Sequence, residues 1–162
     1  MYFRSPFRAL LLSNMNYLVL FALVFSLPVK TSSSPYELCE SPASDINYLN
    51  VTDCDDSREV CILKRGTQVT IQLSFNSQKD FKKLRAHVYG IISGNLFPFS
   101  LKESDACKNG IPCPFTAGQT GTYINQIDVK IYYPPIPVTV RWELRDENGD
   151  DIVCIDINCE ID

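Results

Sequence analysis

The sequence predicts an all-β protein, a sandwich or barrel of short strands in a single domain. Three observations carry that expectation. Apolar and polar residues alternate with a period of two through the middle and end of the chain. Turn-forming clusters interrupt the alternation at regular intervals. No segment beyond the N-terminal apolar stretch repeats with a helical period.

Each run supplies its own reason. Val69, Ile71, Leu73 and Phe75 share one parity, with Thr70, Gln72 and Ser74 on the other. Leu84, Ala86 and Val88 alternate with Arg85, His87 and Tyr89. Val138, Val140, Trp142 and Leu144 alternate with Thr139, Arg141, Glu143 and Arg145. Such alternation marks strands with one buried face. LKRGT at 63–67, FNSQKD at 75–80 and DENGD at 146–150 read as turns. Asn148-Gly149 is a hairpin signal between two strands. Seven or eight strands are expected, near 46–52, 58–64, 67–76, 82–94, 97–101, 121–131, 137–146 and 151–161. YYPPIPV at 132–138 could serve a polyproline-binding groove, but its prolines are better read as marking where a strand begins.

The N-terminus sets the compartment. Arg4 and Arg8 precede the apolar run YLVLFALVFSL at 17–27, and small polar residues follow. This is the pattern of a secretory signal peptide, expected over 1–31 with cleavage between 26 and 34. An uninterrupted membrane span would need about 20 apolar residues. The domain is then expected over 32–162. Of the 15 basic residues three (Arg4, Arg8, Lys30) precede residue 32, and none of the 19 acids does, so the remainder carries a net charge of −7. That balance argues against nucleic acid as a partner. It suits a soluble extracellular or lumenal protein.

All seven cysteines lie after residue 38. An oxidising compartment favours disulfides, and neither C-x2-C nor a histidine cluster suggests zinc. CKNGIPC at 107–113 therefore reads as a stapled loop, and Cys54 and Cys61 flank a second short loop suited to a local pair. Cys39 would then need Cys154 or Cys159. Val153, Ile155, Ile157, Cys159 and Ile161 share the inward parity of the last strand, whereas Cys154 falls on the other. Cys154 is thus the easier partner, and Cys159 is expected to be a buried free thiol. Asn50-Val51-Thr52 is the only glycosylation sequon after the signal and predicts a solvent-facing Asn50.

Nothing points to catalysis. The single histidine, His87, sits on the polar parity of a strand, and no nucleophile elbow, zinc-protease or phosphate-loop motif is present. The carboxylates Asp146, Glu147, Asp150 and Asp151 read as a solvated turn. No enzymatic activity, metal or cofactor is expected.

In order and spacing the chain resembles the ML lipid-recognition domain family. The resemblance rests on LCE at 38–40, DC at 53–54, VCILKRG at 60–66 and GIISGNLFPFS at 90–100. It continues through ACKNGIPCP at 106–114, YINQIDVKIYYPPIPVTVRWELRDENG at 123–149 and Cys154. It covers the chain from Cys39 onward. It implies an immunoglobulin-like sandwich of two antiparallel sheets with an internal hydrophobic cavity. It implies disulfides Cys39–Cys154, Cys54–Cys61 and Cys107–Cys113, leaving Cys159 outside the set. It places Phe99, Val129 and Tyr133 at a sterol tunnel and its mouth, with Tyr133-Pro134 and Ile136 matching a Y-P-x-I stretch at the rim. The implied function is carriage of a sterol or other hydrophobic lipid, with transient membrane contact, transfer to a lipid-accepting membrane protein, and a monomeric state. Carriage of fatty acids or small hydrophobic signals, or innate-immune lipid recognition, are the alternatives. Pro135, Pro137, SLKES at 100–104 and Gly121 depart from the sterol-transfer pattern. Placed near the mouth, they bear on ligand choice more than on fold.

Overall fold

The alternating runs become long strands stacked face to face. The computed structural model describes residues 35–39, 43–54 and 58–162; the expected signal peptide and its cleavage window lie outside the described residues. Nine strands occur among those described: β1 Tyr36–Leu38, β2 Ser44–Val51, β3 Cys61–Leu63, β4 Gln68–Ser77, β5 Leu84–Ile92, β6 Asn95–Phe99, β7 Thr120–Asp128, β8 Pro137–Asp146 and β9 Asp151–Ile161. One sheet runs β1-β9-β8-β5-β6, with β3 continuing the β9 edge beyond β1; the other runs β2-β4-β7. Pairing is antiparallel except for β3, which lies parallel to β9 through Cys61↔Cys159 and Leu63↔Ile161. β1 is the strand that alternation did not reveal, because three residues are too few to show a period.

The inward parities meet between the sheets. Ile71, Leu73, Phe75, Leu84, Val88, Leu144 and Ile155 are buried. Two bulges adjust the pattern. Asn47 is an extra residue in β2 and Ile152 an extra residue in β9. The second lets Ile152 and Val153, neighbours in sequence, both be fully buried. Gly149 closes the β8–β9 hairpin at φ 88°, donating its N–H to the Asp146 carbonyl at 3.1 Å. The Asp146 carboxylate is not solvated as the sequence suggested. Its side chain is fully buried and accepts the N–H groups of Asn148 at 2.8 Å and Asp150 at 3.0 Å and the Lys79 ammonium at 2.9 Å.

One end of the sandwich is clamped. The segment after β6 crosses from one sheet to the other, and Phe81 and Phe115 exchange backbone hydrogen bonds of 3.1 and 2.8 Å while their rings stack 4.9 Å apart. Gly121, at the start of β7, belongs to this end: a Cβ there would sit 2.9 Å from Ile111 Cδ1 and 3.2 Å from the Phe115 ring. Its expected place near the mouth is therefore corrected. It lies at the opposite end of β7 from Val129, about 25 Å away along a strand. The disulfides are Cys39–Cys154, Cys54–Cys61 and Cys107–Cys113, and Cys159 is free and buried.

An apolar cleft between the sheets

The other end of the sandwich gathers three of the expected site residues. Phe99 closes β6, Val129 follows β7, and Tyr133 stands in the loop before β8. Their placement has local causes. Gly90 on β5 leaves room for the Phe99 ring to lie against it, since a Cβ would come within 2.8 Å of the ring. Val129 is pinned by its N–H to the Thr67 carbonyl at 2.9 Å and by its own carbonyl, which accepts the Gly66 N–H at 2.6 Å. Tyr133 donates its N–H to the Lys130 carbonyl at 3.1 Å, and its ring meets Phe99 edge to face with centroids 5.6 Å apart.

Phe99, Val129 and Tyr133 line one void of about 10 Å³, walled also by Leu63, Ile127, Val138 and Val140. Deeper in lies a second, of about 20 Å³, bounded by Val51, Val69, Ile71, Trp142, Ile157 and Cys159. Leu63, Ile127 and Val140 belong to both, so the two adjoin along the midplane of the sandwich. Pro134 is exposed on the loop and Ile136 is half-buried. Neither lines a void. Ile136 acts through its backbone, accepting the Ile161 N–H at 3.1 Å and so tying the loop to the end of β9.

Polar chemistry is confined to the two ends of this space. At the outer end the Asp128 carboxylate lines the void and is held at a pKa of about 2 by Lys130, Lys102 and Gln68, all within 3.1 Å. At the inner end Tyr123 is fully buried, its hydroxyl accepts the Asn125 amide at 2.7 Å, and burial pushes its pKa up to about 12. The Cys159 thiol is likewise pushed up to about 12 by burial, as suits an inert apolar wall residue. The sequence places Cys159 inward but does not mark it as part of this wall, nor Leu63, Val140 and Trp142 as lining. Inward parity is the available signal for Val140 and Trp142, whereas Leu63 reads as the start of the LKRGT turn.

His87 is half-buried on the outer face of the larger sheet, opposite Glu143, and faces no void between the sheets. One group of described residues approaches a metal-ligand arrangement, Glu143, Asp151 and Cys154, but its sulfur is committed to the disulfide with Cys39. Asn50 is exposed on β2, as the sequon required.

A two-sheet sandwich with an apolar seam and an aromatic mouth defines a lipid-recognition domain. The ML-domain family model matches residues 33–161, and the chain belongs to that family. It is 31% identical over 147 residues to the NPC intracellular cholesterol transporter 2 of Danio rerio, covering 91% of this chain and 99% of that protein. It is 33% identical over 150 residues to the protein of the same name from Bos taurus, with the same coverage. Among solved structures, a Niemann-Pick type C2 protein from the Japanese carpenter ant superposes with a TM-score of 0.73 at 25% identity, covering 78% of this chain and 98% of that one.

Proposed function

We propose that this protein is a non-enzymatic carrier that holds one sterol-like lipid between its sheets and hands it to a membrane or to a lipid-accepting membrane protein. The observation that carries this reading is the apolar seam, continuous from the buried Trp142 to the Phe99–Tyr133 mouth, with Asp128 at the outer end its one charged lining side chain. A lipid site of ordinary size occupies roughly 300–1,000 Å³. The two voids are far smaller, so uptake requires the sheets to part, with the lipid taking the place of packing contacts between them. Burying about 400 Å² of lipid at about 25 cal/mol/Å² gives about 10 kcal/mol before the costs of association and opening. Few polar anchors are then needed, and a sterol hydroxyl can remain near Asp128 at the mouth.

The mouth also suits membrane contact. Leu96 and Phe97 on β6 and Ile131 and Tyr132 beside the mouth are large apolar side chains at least half exposed. Apolar groups clustered around a lipid portal can enter the headgroup boundary and shorten the transfer path. Secretion through the expected signal and a glycan on Asn50 complete the reading, and either extracellular fluid or the lysosomal lumen suits it.

Native mass spectrometry of the secreted protein, followed by extraction and identification of bound lipid, tests the proposal. A stoichiometric sterol is the expected result. A fatty acid would keep the site and change its cargo. A protein that neither carries lipid nor takes up added sterol would overturn the reading.

A further inference from the structure

Through the middle of the three-stranded sheet, register places the outward residues in three rows: Thr52, Thr70 and Gln126; Asn50, Gln72 and Ile124; Tyr48, Ser74 and Thr122. None of these nine is charged, in a chain that is 21% charged; the rows at the two ends, Asp45–Asn76–Thr120 and Gln68–Asp128, carry one carboxylate each. Two large apolar side chains stand open on this face, Tyr48 at 43% and Ile124 at 46% exposure. Tyr48 faces outward because the bulge at Asn47 shifts the parity of β2, leaving Leu49 and Val51 in the core. Its hydroxyl accepts the Gln72 side-chain amide at 2.9 Å, which fixes the ring beside the middle row.

Asn50 is in the middle of this face. Tyr48 lies one pleat along the same strand, about 7 Å away, and Ile124 two strand spacings across, about 10 Å away. We propose that the first sugars of an N-glycan on Asn50 lie down on Tyr48, Gln72 and Ile124 and form the outer cover of this sheet. This rests on the secreted reading above. The occupant is set by covalent attachment, since the acceptor asparagine projects from the face itself. The chemistry matches. N-acetylglucosamine presents C–H groups on one face, which stack on the electron-rich face of a tyrosine ring. Its hydroxyls and acetamide suit neutral amides and hydroxyls, which the three middle rows offer without a charge among them. An extended sugar pair reaches from Asn50 across Gln72 to Ile124.

The test uses full-length protein secreted from cells that leave high-mannose glycans. Peptide mass spectrometry first reads occupancy of Asn50. Melting temperature is then compared for intact protein, protein trimmed by endoglycosidase H to one N-acetylglucosamine, and protein stripped by peptide N-glycosidase F. Stripping is expected to lower Tm by about 3 °C, the size of one aromatic contact in a domain of this length, while trimming retains at least half of that gain. In Tyr48→Ala the loss on stripping should fall below about 1 °C, with Ile124→Ser intermediate. Each comparison is between glycoforms of one variant, so a change in basal stability cancels. An unoccupied Asn50 would remove the occupant and overturn the inference. An occupied Asn50 with the same loss in Tyr48→Ala would show a glycan that extends into solvent and would also overturn it. Neither readout depends on bound lipid, so both are separable from failure of the carrier reading.

Discussion

The two ends of the sandwich are built from similar aromatic residues to opposite effect. At the clamped end Phe75, Phe81 and Phe115 stack around Gly121, with a backbone bridge and the Cys107–Cys113 staple holding the crossing segment. At the mouth Phe99 and Tyr133 also pack together, but they sit on β6, an edge strand, and on a loop, and the Lys102–Asp128 pair at 3.1 Å reaches across the seam beside them. Stacking plus backbone pairing resists separation. Side-chain contact without backbone pairing can yield. The two aromatic pairs thus differ in whether their own backbones are bonded to each other; at the mouth the backbone tie between the layers is made instead by the β3–β4 connection, where Arg65 donates its N–H to the Asp162 carbonyl at 2.9 Å and Gly66 to the Val129 carbonyl at 2.6 Å.

The strongest way to break this contrast is at the clamped end. Phe115→Ala removes a fully buried ring and should cost about 3–5 kcal/mol, read as a lowered midpoint in urea. The Asp146 knot near the same end should cost less. Asp146→Ala leaves the Asn148 and Asp150 amides and Lys79 without their acceptor and should cost about 1–3 kcal/mol. Burial alone would raise the Asp146 pKa, but the Lys79 pair and the two backbone N–H groups outweigh it and hold it below the usual carboxylate range. A depressed carboxylate stabilises the fold above its unfolded value of about 3.9 and ceases to as pH falls through the folded value. Acid unfolding of the wild type should therefore be steeper than that of Asp146→Ala below about pH 4.

At the mouth the same kinds of change should leave the fold and alter the cargo. Phe99→Ala and Tyr133→Ser are each expected to weaken sterol binding about tenfold, read by fluorescent-sterol titration, with a loss of stability well below that of Phe115→Ala. Unchanged affinity in both would remove these residues from the site. The smallest effect belongs to Lys102→Ala. Lys102 is largely exposed, so stability should change by less than about 1 kcal/mol. Sterol uptake, followed by stopped flow, should quicken about twofold if the pair bridges the opening. An unchanged rate would assign the SLKES segment no part in admission.

The inner walls of the sandwich are legible in the sequence; the contrast between its two ends is not. Alternation in β4, β5 and β8 named the inner walls, because side chains on a strand change face at every residue. The same parity put Cys154 outside and Cys159 inside. Other features were not legible. β1 is too short to show a period. β3 runs parallel to β9, a pairing of segments about a hundred residues apart that no local pattern encodes. Gly121 is expected near the mouth and lies at the clamped end, since its partners Ile111 and Phe115 arrive from the crossing segment. Glu143 follows the polar parity yet is buried, beside Arg145 at 2.8 Å.

Spacing and residue type alone establish the longer strands, the faces they bury, the disulfide chemistry of the cysteines and, through the motifs, the family. These are local properties of spacing and residue type. The packing of the two sheets adds that the space between them is reduced to voids of about 20 and 10 Å³, and that the aromatics at one end are bonded through their backbones while those at the other meet only through side chains. The width of a seam is the sum of how side chains from strands distant in sequence interlock, and the ties at each end depend on which connections the two sheets bring together. Neither quantity exists until the two sheets meet.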